Sequence, residues 1–444
     1  MTRIEIIGAG LAGAEAAYQA SKSGAEVVLY EMRPAKLTPA HKTGEFAELV
    51  CSNSLRAAGL ENAVGVLKEE MRLLDSLIIS TADENQIPAG GALAVDRSKF
   101  SRAITEKIRS IPNIEIVAAE IKKIPTNDQI LIIASGPLTS DSLAESIREF
   151  TGEEYFYFYD SAAPIVTRES IDFTKVFEAS RYDKGEPAYL NCPMDESTYK
   201  KFYAELMAAE KIPVHEFDRE IFFDGCLPIE EMARRGEDVL RFAPMKPVGL
   251  KDPATGEIPY AVVQLRREDQ NGNLYNLVGF QTRLKWNEQT RIFRMIPGLE
   301  HAEFARLGVM HRNSFLNAPK ILRRTFQTRI DPTKFFAGQI TGVEGYVESA
   351  ASGLIAGINA SRIFRGLDPL EFPIDTCIGS LGNYLETAES KNFQPMNVNF
   401  GLLPPLENRV KKKDKKRILG ERALNSIRRF IDERISCDDN RCSS

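Results

Sequence analysis

The sequence predicts a Rossmann-like α/β domain that is interrupted by an inserted α+β domain. Short apolar strands alternate with helices near both ends of the chain, and a glycine-rich turn joins the first strand to the first helix. Residues 156–320 are richer in aromatic residues and proline, and they do not continue this alternation. The predicted parts are a nucleotide-binding domain over 1–155 and 321–405, the inserted domain over 156–320, and a basic C-terminal helix and tail over 406–444.

The individual elements of the nucleotide-binding domain follow from short apolar runs and from the residues that end them. An alanine-rich helix is predicted from Leu11 to Ser23, where Gly24 stops it. Strands are predicted at 4–7, 27–30, 130–135 and 334–337, and a second helix at about 346–364.

The composition is typical of globular proteins and excludes disordered, collagen-like and heptad-repeat chains. The 444 residues are 43% hydrophobic and 27% charged, and the formal net charge is −5. No run of 18 apolar residues is present, and the N-terminal stretch is not of the signal-peptide type, so no membrane segment is expected. Six cysteines without metal-ligand spacing predict a reducing cytoplasm and no structural metal.

Two segments are strongly basic although the chain as a whole is acidic. Residues 409–429 have a net charge of +8, which leaves −13 on the remainder, and residues 283–329 have a net charge of +7. Such segments predict a polyanionic partner, whereas a pair of solvated helix faces is the alternative interpretation. The candidate contacts to this partner are Arg283, Lys285, Arg323 and Arg324.

The turn after the first strand matches the dinucleotide fingerprint G-x-G-x-x-G. Gly8 permits the tight turn, Gly10 lets the backbone approach a pyrophosphate, and Gly13 lets helix and strand pack closely. Glu31 ends the second strand, where an acid can hold the ribose hydroxyls. The motif does not distinguish FAD from NAD. The candidate cofactor residues here are Gly8, Ala9, Gly10, Leu11, Ala12, Gly13 and Glu31.

A second glycine turn favours FAD. Gly338 and Gln339 follow the late strand, and Gly345 precedes a helix rich in small residues. The N-terminus of such a helix can stabilise the negative charge of a reduced flavin. The alternative is a helix whose small residues serve only close packing.

Two cysteines and one histidine stand in distinctive contexts. Cys51 lies in a polar turn before a stretch expected to be helical, where Arg56 supplies a cation, and Cys226 lies in a glycine- and proline-defined loop. Either could be a nucleophile or a buried apolar residue. His311 and Asn313, inside the first basic segment, are candidates for binding a ligand, and no histidine pair suggests zinc.

These motifs together resemble the folate- and FAD-dependent tRNA uracil-5-methyltransferase family. The resemblance extends to about residue 405, and the blocks around the two cysteines are its most specific part. The matching blocks are I-G-A-G-L-A-G-A-E-A-A near the N-terminus, A-E-L-V-C-S-N-S-L-R around Cys51, A-L-A-V-D-R-S-K-F at 92–100, F-D-G-C-L-P-I-E-E-M-A at 223–233, the block around His311, and A-G-Q-I-T-G-V-E-G-Y-V-E at 337–348.

The resemblance implies that 5,10-methylenetetrahydrofolate donates a one-carbon unit to carbon 5 of the T-loop uridine, position 54, in the T-arm of tRNA. It further implies that reduced FAD supplies the hydride and that NADH or NADPH re-reduces the flavin. In this pattern Cys226 is the nucleophile that adds to carbon 6, and Cys51 is the base that removes the carbon 5 proton.

Three other functions stay open from the sequence. The same chemistry could act on a 23S ribosomal RNA uridine. A flavin-dependent thiol/disulfide oxidoreductase could use Cys51 and Cys226, although such redox cysteines are usually close in sequence. In a non-catalytic RNA-binding flavoprotein, the cysteines would be structural.

Overall fold

The computed structural model describes residues 3–153, 155–183, 186–212, 227–308, 310–408 and 410–435. The strands are β1 Ile4–Ile7, β2 Val27–Glu31, β3 Ser54–Ala57, β4 Gln86–Ile87, β5 Ala92–Val95, β6 Ile114–Ala118, β7 Ile130–Ile133, β8 Phe156–Ser161, β9 Ile165–Thr167, β10 Phe177–Ala179, β11 Tyr189–Met194, β12 Ala261–Arg267, β13 Leu274–Leu277, β14 Phe304–Arg306, β15 Met310–Phe315 and β16 Lys334–Phe336. The helices are α1 Leu11–Ser21, α2 Ala63–Leu73, α3 Leu77–Glu84, α4 Arg97–Arg109, α5 Asp141–Thr151, α6 Glu196–Ala208, α7 Ile229–Arg234, α8 Val239–Phe242, α9 Trp286–Phe293, α10 Ala318–Ile321, α11 Tyr346–Phe364, α12 Cys377–Thr387 and α13 Lys412–Phe430.

A parallel sheet with the order β16-β7-β1-β2-β6 forms the centre of the nucleotide-binding domain. Ile4 lies opposite both Val27 and Ile130, and all residues of β1, β7 and β16 are buried. Strands that are covered on both faces are apolar at nearly every position, which explains why they are recognisable in the sequence, although β1 and β16 each bury one charged residue, Glu5 and Lys334. The predicted Rossmann-like α/β fold class is confirmed.

A second sheet is antiparallel and takes its strands from residues 165–306, in the order β10-β11-β12-β13-β9-β14. The chain enters and leaves this region along a two-stranded ribbon, because β8 pairs antiparallel with β15 from Phe156 opposite Phe315 to Ser161 opposite Met310. The region between these two strands has its own apolar core, with Phe202, Phe280 and Phe293 among its buried side chains.

Helix α11 packs closely against α1, and small residues make this approach feasible. A Cβ atom on Gly353 would lie 2.1 Å from the carbonyl oxygen of Ala12, and one on Gly357 would lie 2.6 Å from that of Ala16. Close packing of α11 against α1 therefore accounts for these two glycines.

Helix α13 is docked on the nucleotide-binding domain. Its apolar side chains Leu419, Ala423, Leu424 and Ile427 are buried, and the helix packs against α2. Among the described residues, no helix combines the length and the apolar character needed to cross a membrane.

Residues 54–57, at the end of the polar turn predicted around Cys51, form the strand β3, and the next helix is α2 at Ala63–Leu73. Leu55 is buried between the more exposed Ser54 and Arg56, which is the alternation of a strand with one covered face. The buried ammonium of Lys68 donates to the carbonyl oxygens of Leu55 at 2.8 Å and Ala57 at 2.7 Å. Lys68 lies on α2, so this helix fixes the backbone that follows Cys51.

Burial lowers the pKa of Lys68 to about 7, well below that of an unfolded chain. Between the two pKa values only the unfolded chain binds the proton, so this group makes the folded state more stable as the pH rises. Between pH 7 and 10, we expect the free energy of unfolding of the wild type to increase relative to that of Lys68→Met, by on the order of 1.4 kcal/mol per pH unit. Chemical denaturation at several pH values measures it, with the exposed Lys107→Met as control; parallel curves for wild type and Lys68→Met would contradict it.

Candidate active site at the end of the parallel sheet

A large pocket opens where the parallel strands end, the usual ligand position in open α/β sheets. Its volume is about 1050 Å³ when the space at its open mouth is included. Seven of the predicted cofactor residues line it: Gly8, Gly10, Leu11, Ala12, Glu31, Gly338 and Gln339. Ala9 and Gly13 do not line the pocket and instead lie buried beside it.

The three glycines of the first turn have different roles. Gly8 has a φ of +96°, and a Cβ on it would lie 2.6 Å from the carbonyl oxygen of Ala134. A Cβ on Gly13 would lie 1.7 Å from the carbonyl oxygen of Gly8, so both positions are fixed by internal packing. A Cβ on Gly10 would meet no protein atom within 4 Å, and Gly10 faces the pocket. The missing side chain there leaves space for a ligand.

Gly10 is also the N-cap of α1, and no side chain caps this helix. The N–H groups at a helix N-terminus can therefore bind a phosphate in the pocket. The residues of the turn thus fit the pyrophosphate of a dinucleotide.

Glu31 is buried at the edge of the pocket, where its carboxylate accepts the N–H of Ala9 at 2.9 Å. The guanidinium of Arg33 donates to it from Nε and from Nη2, both at 3.0 Å. Burial alone would raise the pKa of Glu31, but the hydrogen bonds and charge of Arg33 outweigh it and hold the pKa below its usual value. The carboxylate is therefore ionised and fixed where a ribose hydroxyl could donate to it.

Other lining residues come from the start of α11 and from the loop that holds Cys51. Tyr346 and Ser349 line the pocket together with Val50. Tyr346 accepts the backbone N–H groups of Cys51 at 2.7 Å and Ser52 at 3.2 Å through its hydroxyl oxygen. Burial raises the pKa of this hydroxyl, which therefore stays protonated. Cys51 is thereby held beside the pocket.

Three arginines hold the loop Leu49–Asn53 through its carbonyl oxygens and polar side chains, and we call them the arginine cradle. Arg306 donates to the carbonyl oxygens of Val50 at 3.1 Å and Cys51 at 3.0 Å. Arg266 donates to the side-chain oxygens of Ser52 at 2.7 Å and Asn53 at 3.0 Å. Arg97 donates to the carbonyl oxygen of Leu49 at 2.7 Å.

The arginine cradle links two parts of the fold, since Arg266 and Arg306 lie on β12 and β14 of the antiparallel sheet. Arg266 and Arg306 could not be recognised from the sequence as partners of Cys51, because no local pattern connects positions more than 200 residues apart. Arg56 was expected beside Cys51, but the guanidinium of Arg56 forms an ion pair with the buried Glu348.

The structure describes the other candidate site residues, Cys226, His311 and Asn313, only in part. Cys226 lies outside the described residues. His311 lies on β15 opposite Asp160, and its side chain is outside the described part of the chain. The side chain of Asn313 is buried, with 3% of the residue exposed. The strand itself borders the pocket, because the N–H of Ser314 donates to the carbonyl oxygen of Pro137, a lining residue.

The candidate contacts to a polyanion are mostly neutralised in the structure. Arg283 is 4% exposed and forms an ion pair of 2.6 Å with Glu231, so its guanidinium cannot reach a phosphate, which corrects its assignment. Lys285 pairs with Glu210 at 2.5 Å, and Arg324 pairs with Glu386 at 2.6 Å. Arg323 is exposed. Residues 283–329 are rich in cations in the sequence, but three of the four candidate side chains are paired with carboxylates in the structure.

Substitutions of two glycines should separate ligand binding from folding. Gly10→Val places its side chain in the pocket, so we expect a folded protein that does not bind FAD. Gly13→Ala meets the carbonyl oxygen of Gly8, so we expect a lower unfolding midpoint even without ligand. FAD titration and thermal unfolding of the cofactor-depleted proteins measure both. FAD binding by Gly10→Val with wild-type affinity would contradict this assignment.

Removing Arg306 should loosen the loop around Cys51. In Arg306→Met the carbonyl oxygens of Val50 and Cys51 lose their guanidinium donor, and we expect faster alkylation of Cys51. The rate is followed by mass spectrometry of the peptide that contains Cys51. Arg294→Met is a matched control, because Arg294 donates to the carbonyl oxygen of Ala302, remote from this loop in the sequence. Equal alkylation rates in the two variants would show that Arg306 does not hold the loop.

Comparison with known proteins agrees with the resemblance noted in the sequence. Residues 3–368 match the family model described as glucose inhibited division protein A. Relatives named methylenetetrahydrofolate--tRNA-(uracil-5-)-methyltransferase TrmFO include one from Heliobacterium modesticaldum, which is 61% identical over 97% of this chain and 98% of its own length. The relative of the same name from Bacillus cytotoxicus is 59% identical over 96% of this chain and 98% of its own length.

The fold is also similar to that of a solved structure. GidA of Aquifex aeolicus superimposes with a TM-score of 0.69 and 17% identity, over 96% of this chain and 76% of that protein. The family model, the relatives and this fold agree with one another, and the chain belongs to the glucose inhibited division protein A family, among the proteins named TrmFO.

Proposed function

We propose that this protein methylates carbon 5 of uridine 54 in the T-loop of tRNA. The one-carbon donor is 5,10-methylenetetrahydrofolate, reduced FAD is the hydride donor, and NADH or NADPH reduces the flavin. The observation that carries the proposal is the position of Cys51 beside a dinucleotide pocket, in a chain that is 61% identical to a TrmFO protein.

The reaction needs two protein groups with different tasks, because carbon 5 of uracil is a poor nucleophile. A thiolate that adds to carbon 6 turns the base into an enolate, whose carbon 5 can attack the methylene carbon of the donor. The resemblance assigns this addition to the thiol of Cys226. Loss of the carbon 5 proton lets the bond between the methylene carbon and the nitrogen of tetrahydrofolate break, so tetrahydrofolate leaves. Hydride addition to the methylene carbon then expels the thiolate from carbon 6 and regenerates the nucleophile.

The second task is removal of the proton from carbon 5, and Cys51 Sγ is our candidate acceptor. The transferred carbon has the oxidation level of formaldehyde, and reduced FAD, when bound, supplies the two electrons that a methyl group requires. Tyr346 and the arginine cradle fix the backbone of Cys51 beside the pocket, so the acceptor of the proton and the source of the electrons are neighbours.

The target base must leave its loop to reach these groups. Sequence-specific recognition of RNA acts mainly on loops whose bases can be splayed out, and a T-loop uridine is such a base once its tertiary pairing opens. We therefore infer that the enzyme flips or exposes the uridine when it binds the T-arm.

The target is tested by incubating the protein with NADPH, FAD, 5,10-methylenetetrahydrofolate and total RNA that lacks 5-methyluridine. Mapping of 5-methyluridine should find it at position 54 of tRNA. Its appearance only in 23S ribosomal RNA would keep the chemistry and reject the target. No methylation of any RNA by the FAD-loaded protein would reject the function.

Replacing each cysteine should separate the two roles. Cys226→Ala should lose both methylation and the covalent adduct with 5-fluorouridine RNA, since no nucleophile adds to carbon 6. Cys51→Ala should lose methylation yet form the adduct, because addition precedes proton removal and fluorine cannot leave as a cation. Gel shifts under denaturing conditions detect the adduct.

Cys192→Ala is the matched control, because Cys192 is fully buried in the antiparallel region and should not affect the adduct. An adduct that persists in Cys226→Ala and is lost in Cys51→Ala would reverse the two roles. Substantial activity in both variants would make the cysteines structural.

A further inference from the structure

Helix α13 presents a dense row of positive charge to solvent. Its apolar side chains Leu419, Ala423, Leu424 and Ile427 face the domain, whereas six of the cations precede Leu419 in the turns at the N-terminal end of the helix, where all six are exposed. The exposed cations on the helix and its N-cap are Lys411, Lys412, Lys413, Lys415, Lys416, Arg417, Arg428 and Arg429.

The arrangement of these charges opposes the stability of the helix itself. Lysines three and four positions apart are neighbours on a helix surface, as Lys412 is to Lys415 and Lys416, and like charges in such pairs repel one another. Most of the row also lies at the N-terminal end, where the helix dipole disfavours cations. A helix surface that serves only solubility normally alternates acidic and basic residues, and the exposed surface at this end of α13 does not.

Few carboxylates offset the row. Within the described residues, the ion pair on this helix joins Arg417 to Glu421, and Asp414 is the acid in its first turn. The other basic segment contrasts with it, because Lys285 and Arg324 there pair with carboxylates distant in sequence. The charge that remains available to a polyanion is therefore concentrated on α13.

We propose that the exposed cations at the N-terminal end of α13 bind the phosphate backbone of the RNA substrate. This inference rests on the proposed function. A membrane surface fits less well, because Leu419, Ala423, Leu424 and Ile427 are buried against the domain and cannot enter a bilayer. Phosphate contacts need only the exposed cations, which the docked helix holds in a fixed row.

Neutralising the row should reduce the salt dependence of RNA binding. Each phosphate contact contributes about 0.7–0.9 to the slope of log K against log salt concentration. For Lys412→Gln/Lys416→Gln we expect the slope for an unmodified tRNA transcript to fall by about 1–2, with weaker binding at low salt. Glutamine has a helix propensity similar to that of lysine, it relieves the repulsion between like charges, and the buried side chains are unchanged. FAD content should therefore stay at the wild-type value, and the unfolding midpoint should not fall below that of the wild type.

The matched control is Arg102→Gln/Lys107→Gln, which removes two exposed cations from α4, a helix of the nucleotide-binding domain on which α13 is docked. Slopes and affinities that are the same in both double variants would overturn the proposal. So would weaker binding without a change in slope, because that result indicates contacts other than phosphate.

The same samples separate this inference from the proposed function. A wild type that methylates tRNA, together with a Lys412→Gln/Lys416→Gln variant whose KM for tRNA is unchanged at low salt, rejects only the role of α13. A raised KM with an unchanged kcat supports that role. A wild type that binds tRNA with the α13-dependent slope but methylates no RNA rejects the proposed function and keeps the surface.

Discussion

The hydrogen bonds from Arg306 to the carbonyl oxygens of Val50 and Cys51 are the contact on which the arrangement of the candidate site depends. A hydrogen bond from a charged donor contributes about 1.5–3 kcal/mol, more than one between neutral groups. Because Arg306 belongs to the antiparallel sheet and Cys51 to the nucleotide-binding domain, these two carbonyl oxygens gain their guanidinium donor only when both parts are folded and docked, whereas Tyr346 and Arg97 hold the same loop from within the nucleotide-binding domain. The site is thus a product of the junction between them.

The glycine turn shapes the pocket, and Tyr346 joins the pocket to the loop that holds Cys51. Gly8 and Gly13 fix the turn through internal packing, whereas Gly10 leaves open the space that a pyrophosphate would occupy. Tyr346 connects the pocket to the reactive loop, since the same side chain lines the pocket and accepts the N–H of Cys51. The lining of the pocket and the backbone of Cys51 therefore meet at one side chain.

The sequence was sufficient for features that depend on neighbouring residues. Short apolar runs predicted four of the five parallel strands, with β6 missed, and the glycine spacing predicted the turn that lines the pocket. It failed where distant residues decide the outcome. Arg283 was expected to contact a polyanion, but Glu231, which is distant in the sequence, neutralises it, and nothing local indicated that Arg306 would reach Cys51.

The proposed role of Cys51 requires that this residue lies next to the flavin when FAD is bound. The visible absorption spectrum of the bound flavin tests it, because the bands of an isoalloxazine respond to a sulfur atom in contact with the ring. We predict that Cys51→Ala shifts these bands relative to the wild type, while Cys192→Ala leaves them unchanged. Superimposable spectra of wild type and Cys51→Ala, at equal FAD content, would contradict the claim.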